Sequence, residues 1–220
     1  MRTRRWIRAW GSTVLLAACA CTAGCDTFKP RRAEAPLGPP ITRSYAAPES
    51  TLDTMKRGVE DRTQQGVNAY VDGLADSATD HRAFYADMDP AAEARWQQDN
   101  QKTPPDTWTL DRERNFISRF MTSVITKSTC QMDWLPGRFP DQPGPSEGLY
   151  FRKYVVFTFS AETGEPDDTL AIGYAALTFT QVSAGRWAIT RWRDEVDPDV
   201  GVDPTKSNWQ SFTTRRLDTY

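Results

Sequence analysis

The second half of the chain most constrains its fold. Three long runs, 149–160, 169–181 and 186–194, are dense in Tyr, Phe, Val, Ile, Thr and Trp, the composition of strands. The connections, 161–168 and Ser183-Ala184-Gly185, are short enough for hairpins. Long consecutive strands joined this way form an antiparallel meander, and strand twist curves it. A fourth strand is expected near 129–135. It is separated from the others by a loop, 136–148, that holds Pro136, Pro140, Pro143, Pro145 and three glycines.

Such a sheet has a face to bury, and the first half supplies the cover. Ser50 is a good helix N-cap, and Leu52, Met55 and Val59 recur on one helical face. Gly66 reads as a break, after which Val67, Tyr70, Val71 and Leu74 resume the pattern. Phe84, Tyr85 and Met88 predict a short strand limited by Pro90. Residues 91–107 are polar and contain Pro104 and Pro105, which predicts a loop with at most a helical turn. A second helix is expected over 110–126, burying Leu110, Phe116, Ile117, Phe120, Val124 and Ile125. Helices first and a meander after predict an α+β fold, a curved antiparallel β-sheet forming a cone with the N-terminal helices on its concave face. Beyond Asp197 the chain carries Pro198, Pro204, Trp209 and Phe212, and both a packed and a loose tail stay open.

The first 25 residues read differently. Arg2, Arg4, Arg5 and Arg8 precede a short apolar run centred on Val14-Leu15-Leu16, then small residues and Cys25. That order is the pattern of an export signal, too short in its apolar part to span a bilayer. Two exits resemble a bacterial lipobox, Leu16-Ala17-Ala18-Cys19 and Thr22-Ala23-Gly24-Cys25. The longer apolar region favours Cys25 as the lipidated residue, with Cys19 the alternative. Cleavage at Cys25 would leave Cys130 as the one thiol of the mature chain outside the anchor. The expected organisation is a signal peptide over 1–24, a Pro-rich tether over 25–48, a domain over 49–196 and an extension over 197–220. Asp26 after Cys25 resembles an inner-membrane retention signal, and both membranes of the envelope stay open. The tether is basic, with Lys29, Arg31, Arg32 and Arg43 against Asp26 and Glu34, whereas the whole chain carries −2. The body is therefore acidic, which suits a tether lying on an anionic membrane and argues against nucleic acid.

The order of elements resembles the nuclear transport factor 2-like superfamily, and more closely bacterial lipoproteins within it. The resemblance rests on Pro48-Glu49, Tyr70 to Leu74, Phe84-Tyr85 with Asp89-Pro90, Pro105 to Trp108, Phe120-Met121 and the run 186–194. It implies a pocket between sheet and helices and pairing of two copies through the sheet. Some members of the superfamily are isomerases or dehydratases, and others only bind or assemble, so the fold does not name an activity. On this basis Tyr85, Trp108, Phe120, Tyr154, Tyr174 and Trp192 are the candidate pocket residues.

No catalytic signature accompanies them. The single histidine, His81, lies in a polar stretch, and Asp87, Asp89 and Asp194 read as solvated strand ends. Phosphate-loop, Cys-x-x-Cys, His-Glu-x-x-His and Gly-x-Ser-x-Gly motifs are absent from the sequence. Asp167-Asp168 and the Asp197, Asp199, Asp203 group lack calcium-loop spacing. No cofactor or metal is expected. The expected function is a lipid-anchored binding or assembly module of the bacterial envelope, its partner an apolar small ligand or an envelope protein. The alternative is a periplasmic isomerase or dehydratase using a pocket carboxylate as base.

Overall fold

A computed structural model describes residues 41–124, 129–160, 163–198 and 210–220. The expected signal peptide, both candidate lipidated cysteines, most of the tether, Ile125 and Trp209 lie outside the described residues.

Two helices open the domain, α1 (Pro48–Asp61) and α2 (Gln64–Val71). Pro48 takes the first helical position, so Ala47 is the N-cap and not Ser50. Ser50 sits three residues in and accepts a 3.0 Å hydrogen bond from the Ala47 amide. The break between the helices falls at Arg62, in the left-handed region at φ 54°, and Thr63 caps the second helix by accepting from the Gly66 amide. Gly66 is thus inside α2. Its task is contact, because a Cβ added at Gly58 would stand 2.5 Å from the Gly66 carbonyl oxygen. The two helices touch backbone to backbone there. Gly58→Ala must push them apart, and a loss of about 1–3 kcal/mol is expected, read from the urea midpoint. A midpoint equal to wild type would mean that the crossing gives way freely.

A short turn of helix, α3 (Ser77–Asp80), leads to β1 (Tyr85–Asp87). The stretch expected to be a loop forms α4 (Pro90–Asn100) instead. Asp89 is its N-cap, its carboxylate accepting from the Ala91 and Ala92 amides at 2.9 Å, and Pro90 follows at the first position. Pro90 therefore ends a strand by starting a helix. After β2 (Trp108–Thr109), helix α5 (Leu110–Arg119) runs into a π-helical turn, Phe120–Val124.

The sheet is completed by β3 (Cys130–Pro136), β4 (Glu147–Phe159), β5 (Pro166–Gln181) and β6 (Trp187–Val196). The strand order is β2-β1-β6-β5-β4-β3, antiparallel except for the parallel pair β1 and β6. Register places Met132 opposite Val156, Tyr154 opposite Gly173, and Trp192 opposite Leu177. The side chains of Met132, Tyr154, Val156, Leu177 and Trp192 are buried together with Leu52, Met55, Val59 and Phe116 of the helices. The fold is α+β, an open curved sheet with helices across one face.

The described part of the extension is packed, not loose. It forms α6 (Phe212–Asp218), capped by Ser211, whose hydroxyl accepts from the Thr214 amide. Phe212, Thr213, Arg216 and Leu217 are all buried. Among the described residues no helix is long and apolar enough to cross a membrane.

Candidate functional site

Two buried carboxylates, Glu113 and Asp194, converge on α6. Glu113 stands on α5 one turn before Phe116 and Ile117, on the same buried face. Its carboxylate takes four donors. Arg216 binds it through Nε at 2.8 Å and Nη2 at 2.9 Å, a two-pronged pair. The Tyr70 hydroxyl donates to Oε1 at 2.9 Å, and the Trp108 indole Nε1 donates to Oε2 at 2.7 Å. Both ions of the pair are fully buried. The Arg216 guanidinium lies 4.7 Å over the Trp192 ring and 5.6 Å from the Phe116 ring. Burial pulls its pKa down and the Glu113 carboxylate pushes it up by more, so Arg216 is held as a cation.

A second carboxylate closes the other end of the helix. Asp194 accepts from the Tyr154 hydroxyl at 2.7 Å, from the Thr213 amide at 2.6 Å and from the Thr213 hydroxyl at 2.7 Å. The Phe212 amide donates to the Tyr154 oxygen at 2.7 Å. The first two amides of α6 are thus capped from across the cone, satisfying donors that every helix leaves open. The Phe212 ring stacks on Tyr154 at 4.4 Å and 11°. Gly173 makes the inward reach of Tyr154 possible, since a Cβ there would stand 2.7 Å from the phenol ring.

A curved sheet, helices over its concave side and a polar floor now stand together. No protein-family model matches the chain, and no curated protein matches it either. Solved structures that it resembles include a protein of unknown function from Mycobacterium tuberculosis, 9% identical over 78% of this chain and 87% of that one, with a TM-score of 0.47. Another is a candidate dehydratase of the NTF2-like family from Streptomyces avermitilis, 7% identical over 67% and 91%, with a TM-score of 0.44. A third is a candidate scytalone dehydratase from Novosphingobium aromaticivorans, 10% identical over 66% and 78%, also with a TM-score of 0.44. Likeness at this level concerns outline and says nothing of activity.

In this domain, Trp108, Phe120, Tyr154 and Trp192 stand in the buried interior around α6. Tyr85 and Tyr174 do not, which corrects their placement as pocket residues. Tyr85 is 47% exposed at the start of β1. Tyr174 pairs with Lys153 and Glu195, on the opposite face of the sheet from Tyr154, with Arg138 4.1 Å over its ring. One residue of register separates Tyr174 from the inward set.

Asp194 reads as a solvated strand end in the sequence and is buried in the structure. Alternation decides it: Arg193 and Glu195 point out, so Trp192 and Asp194 point in. Burial pushes its carboxyl up from the usual 3.8, against the pull of Arg216 and the Thr213 and Tyr154 hydrogen bonds. A carboxyl raised on folding stabilises the fold in its protonated form. That contribution is complete below the unfolded value and is lost as pH rises through the folded one. Asp194→Asn keeps the neutral charge at every pH but turns an amide donor toward Thr213, so it starts less stable. The urea midpoints of wild type and variant are expected to converge as pH rises from about 4, the unfolded value, through the raised folded one. A gap that widens would show the reverse sign.

Asp87 and Asp89 act locally, Asp87 on Arg191 at 2.6 Å and Asp89 as the α4 cap, and His81 is exposed. Cys130 is buried, with its thiol pushed up to about 11 by burial, as suits a small apolar filler. Among the described residues no group of three or more His, Cys, Asp or Glu is placed to hold a metal ion. A surface cleft of about 370 Å³ runs between Tyr45, Asp72, Asp80 and Arg186. Of its three acids, Asp72 pairs with Arg43, Asp80 pairs with Arg186, and Asp76 caps α3.

Proposed function

We propose that this chain is an exported, lipid-anchored envelope protein whose domain works by binding and assembly and not by turning over a small substrate. One observation carries the second half of that reading: the concave interior, where a small ligand would be held, contains the chain's own helix α6. A base in this fold needs a lone pair aimed at open space. Asp194 and Glu113 instead spend their oxygens on Tyr154, Thr213, Tyr70, Trp108 and Arg216. The enzyme reading has Asp194 in its favour, a buried carboxyl beside a tyrosine, and it requires α6 to leave.

The anchor is supported by the basic, apolar and small-residue order that ends at Cys25. Intact mass spectrometry of the membrane-extracted protein tests it. The expected species begins at Cys25 and carries acyl chains, and an unacylated soluble chain would overturn the anchor. A photoreactive residue in place of Phe139, which is 58% exposed, tests the assembly half. A discrete crosslinked envelope product is expected, and only uncrosslinked monomer would overturn it.

A further inference from the structure

We propose that the interior is a preassembled guanidinium-binding site, filled in the resting protein by Arg216 and able to take a small alkylguanidinium compound when α6 leaves. This deepens the reading of α6 as occupant of the cone and rests on it.

The groups that hold the guanidinium come from outside α6, and of the rings around it only Phe212, at 5.7 Å, belongs to that helix. Tyr70 stands on α2, Trp108 on β2, Glu113 and Phe116 on α5, and Trp192 on β6. Their arrangement matches a planar cation. Tyr70 and Trp108 hold one carboxylate oxygen each, which leaves both oxygens facing the fork of a guanidinium. The Trp192 face covers the cation from one side at 4.7 Å, the geometry of a cation–π contact. An ammonium presents one point charge and cannot meet both oxygens while lying flat on the ring.

The occupant, by contrast, looks borrowed. A plug needs no charge, because well-packed apolar residues commonly match or exceed a buried ion pair in stability. Arg216 also fits incompletely, since its Nη1 is buried with no hydrogen-bond partner, as is the Nε1 of Trp192, the ring it covers. And α6 is seven residues long, too short to persist as a helix by itself. Its order depends on the site, whose five holding residues stand on other elements, two of them, Phe116 and Trp192, also packed on Phe212.

The test is chemical rescue in the full chain. Arg216→Ala deletes the atoms that ethylguanidinium carries. The variant is expected to melt well below wild type, and millimolar ethylguanidinium is expected to raise its midpoint saturably by several degrees. Ethylammonium and sodium chloride at equal ionic strength should do neither. The effect should vanish when Glu113→Gln is added. A rise no larger than that from salt, or an equal rise with Glu113→Gln present, overturns the proposal.

Should the variant not fold, wild type gives the same answer by amide hydrogen exchange. Ethylguanidinium is expected to speed exchange over 212–218 and leave β4 to β6 unchanged. No change over 212–218, or uniform acceleration of both, overturns it. Neither readout depends on acylation or on crosslinking at Phe139, so failure here is distinguishable from failure of the anchor or of assembly.

Discussion

Glu113→Ala is expected to remove most of the domain's stability. The substitution strands the Arg216 guanidinium, fully buried, without its counter-ion. Breaking a buried pair from one side costs about 3–5 kcal/mol. It also takes the acceptor from Tyr70 and from Trp108, each buried, and an orphaned buried donor costs about 1–3 kcal/mol. Against a total stability of about 5–15 kcal/mol, such a sum leaves little folded protein at the low end. Arg216→Ala should cost less, because Glu113 keeps the Tyr70 and Trp108 hydrogen bonds. Glu113→Gln should fall between the two alanine variants, since one amide oxygen still accepts but the counter-ion is gone and the amide NH2 faces two of the four donors. Urea midpoints that fall in the order wild type, Arg216→Ala, Glu113→Gln, Glu113→Ala would bear out this division of labour. If the Arg216 and Glu113 alanine variants fell together, the two neutral donors would carry nothing of their own.

The pair is legible in the sequence, in hindsight, as two charges in the wrong place. Glu113 lies three and four residues before Phe116 and Ile117, and Arg216 lies four after Phe212 and next to Leu217. Each is a charge on the buried, otherwise apolar side of its helix. Nothing local says that an acid at 113 and a base at 216 are partners, because their meeting depends on tertiary packing across 103 residues. The long strands were readable because a continuous run of β-branched and aromatic residues survives any packing. Helix α4 was not. Its buried residues are only Ala92 and Trp96, so no apolar period announces it, and the start signal, Asp89 before Pro90, reads equally as a strand stop. Tyr154 and Tyr174 illustrate the remaining limit. Both are strand tyrosines, and only register, with Gly173 opposite Tyr154, separates the inward one from the outward one.

Trp192 joins the two ends of this interior, and two substitutions there should separate its roles. Its ring neighbours Trp134, Tyr154 and Phe212 at centroid distances of 5.7, 6.2 and 5.7 Å and carries Arg216 on its face. Trp192→Ala empties that volume and is expected to cost about 3–5 kcal/mol. Trp192→Phe is expected to cost far less than so large a side chain suggests. The indole Nε1 has no hydrogen-bond partner and is fully buried, so removing it relieves an unsatisfied donor worth about 1–3 kcal/mol. That relief offsets the smaller ring and the weaker cation–π contact. Equilibrium unfolding by near-ultraviolet circular dichroism would read both variants. A phenylalanine variant as unstable as the alanine one would mean that the indole nitrogen is hydrogen-bonded in solution, most simply through a water held between Trp192 and Arg216. The interior would then have space that α6 does not fill, and its two unpaired donors would mark where a further acceptor sits.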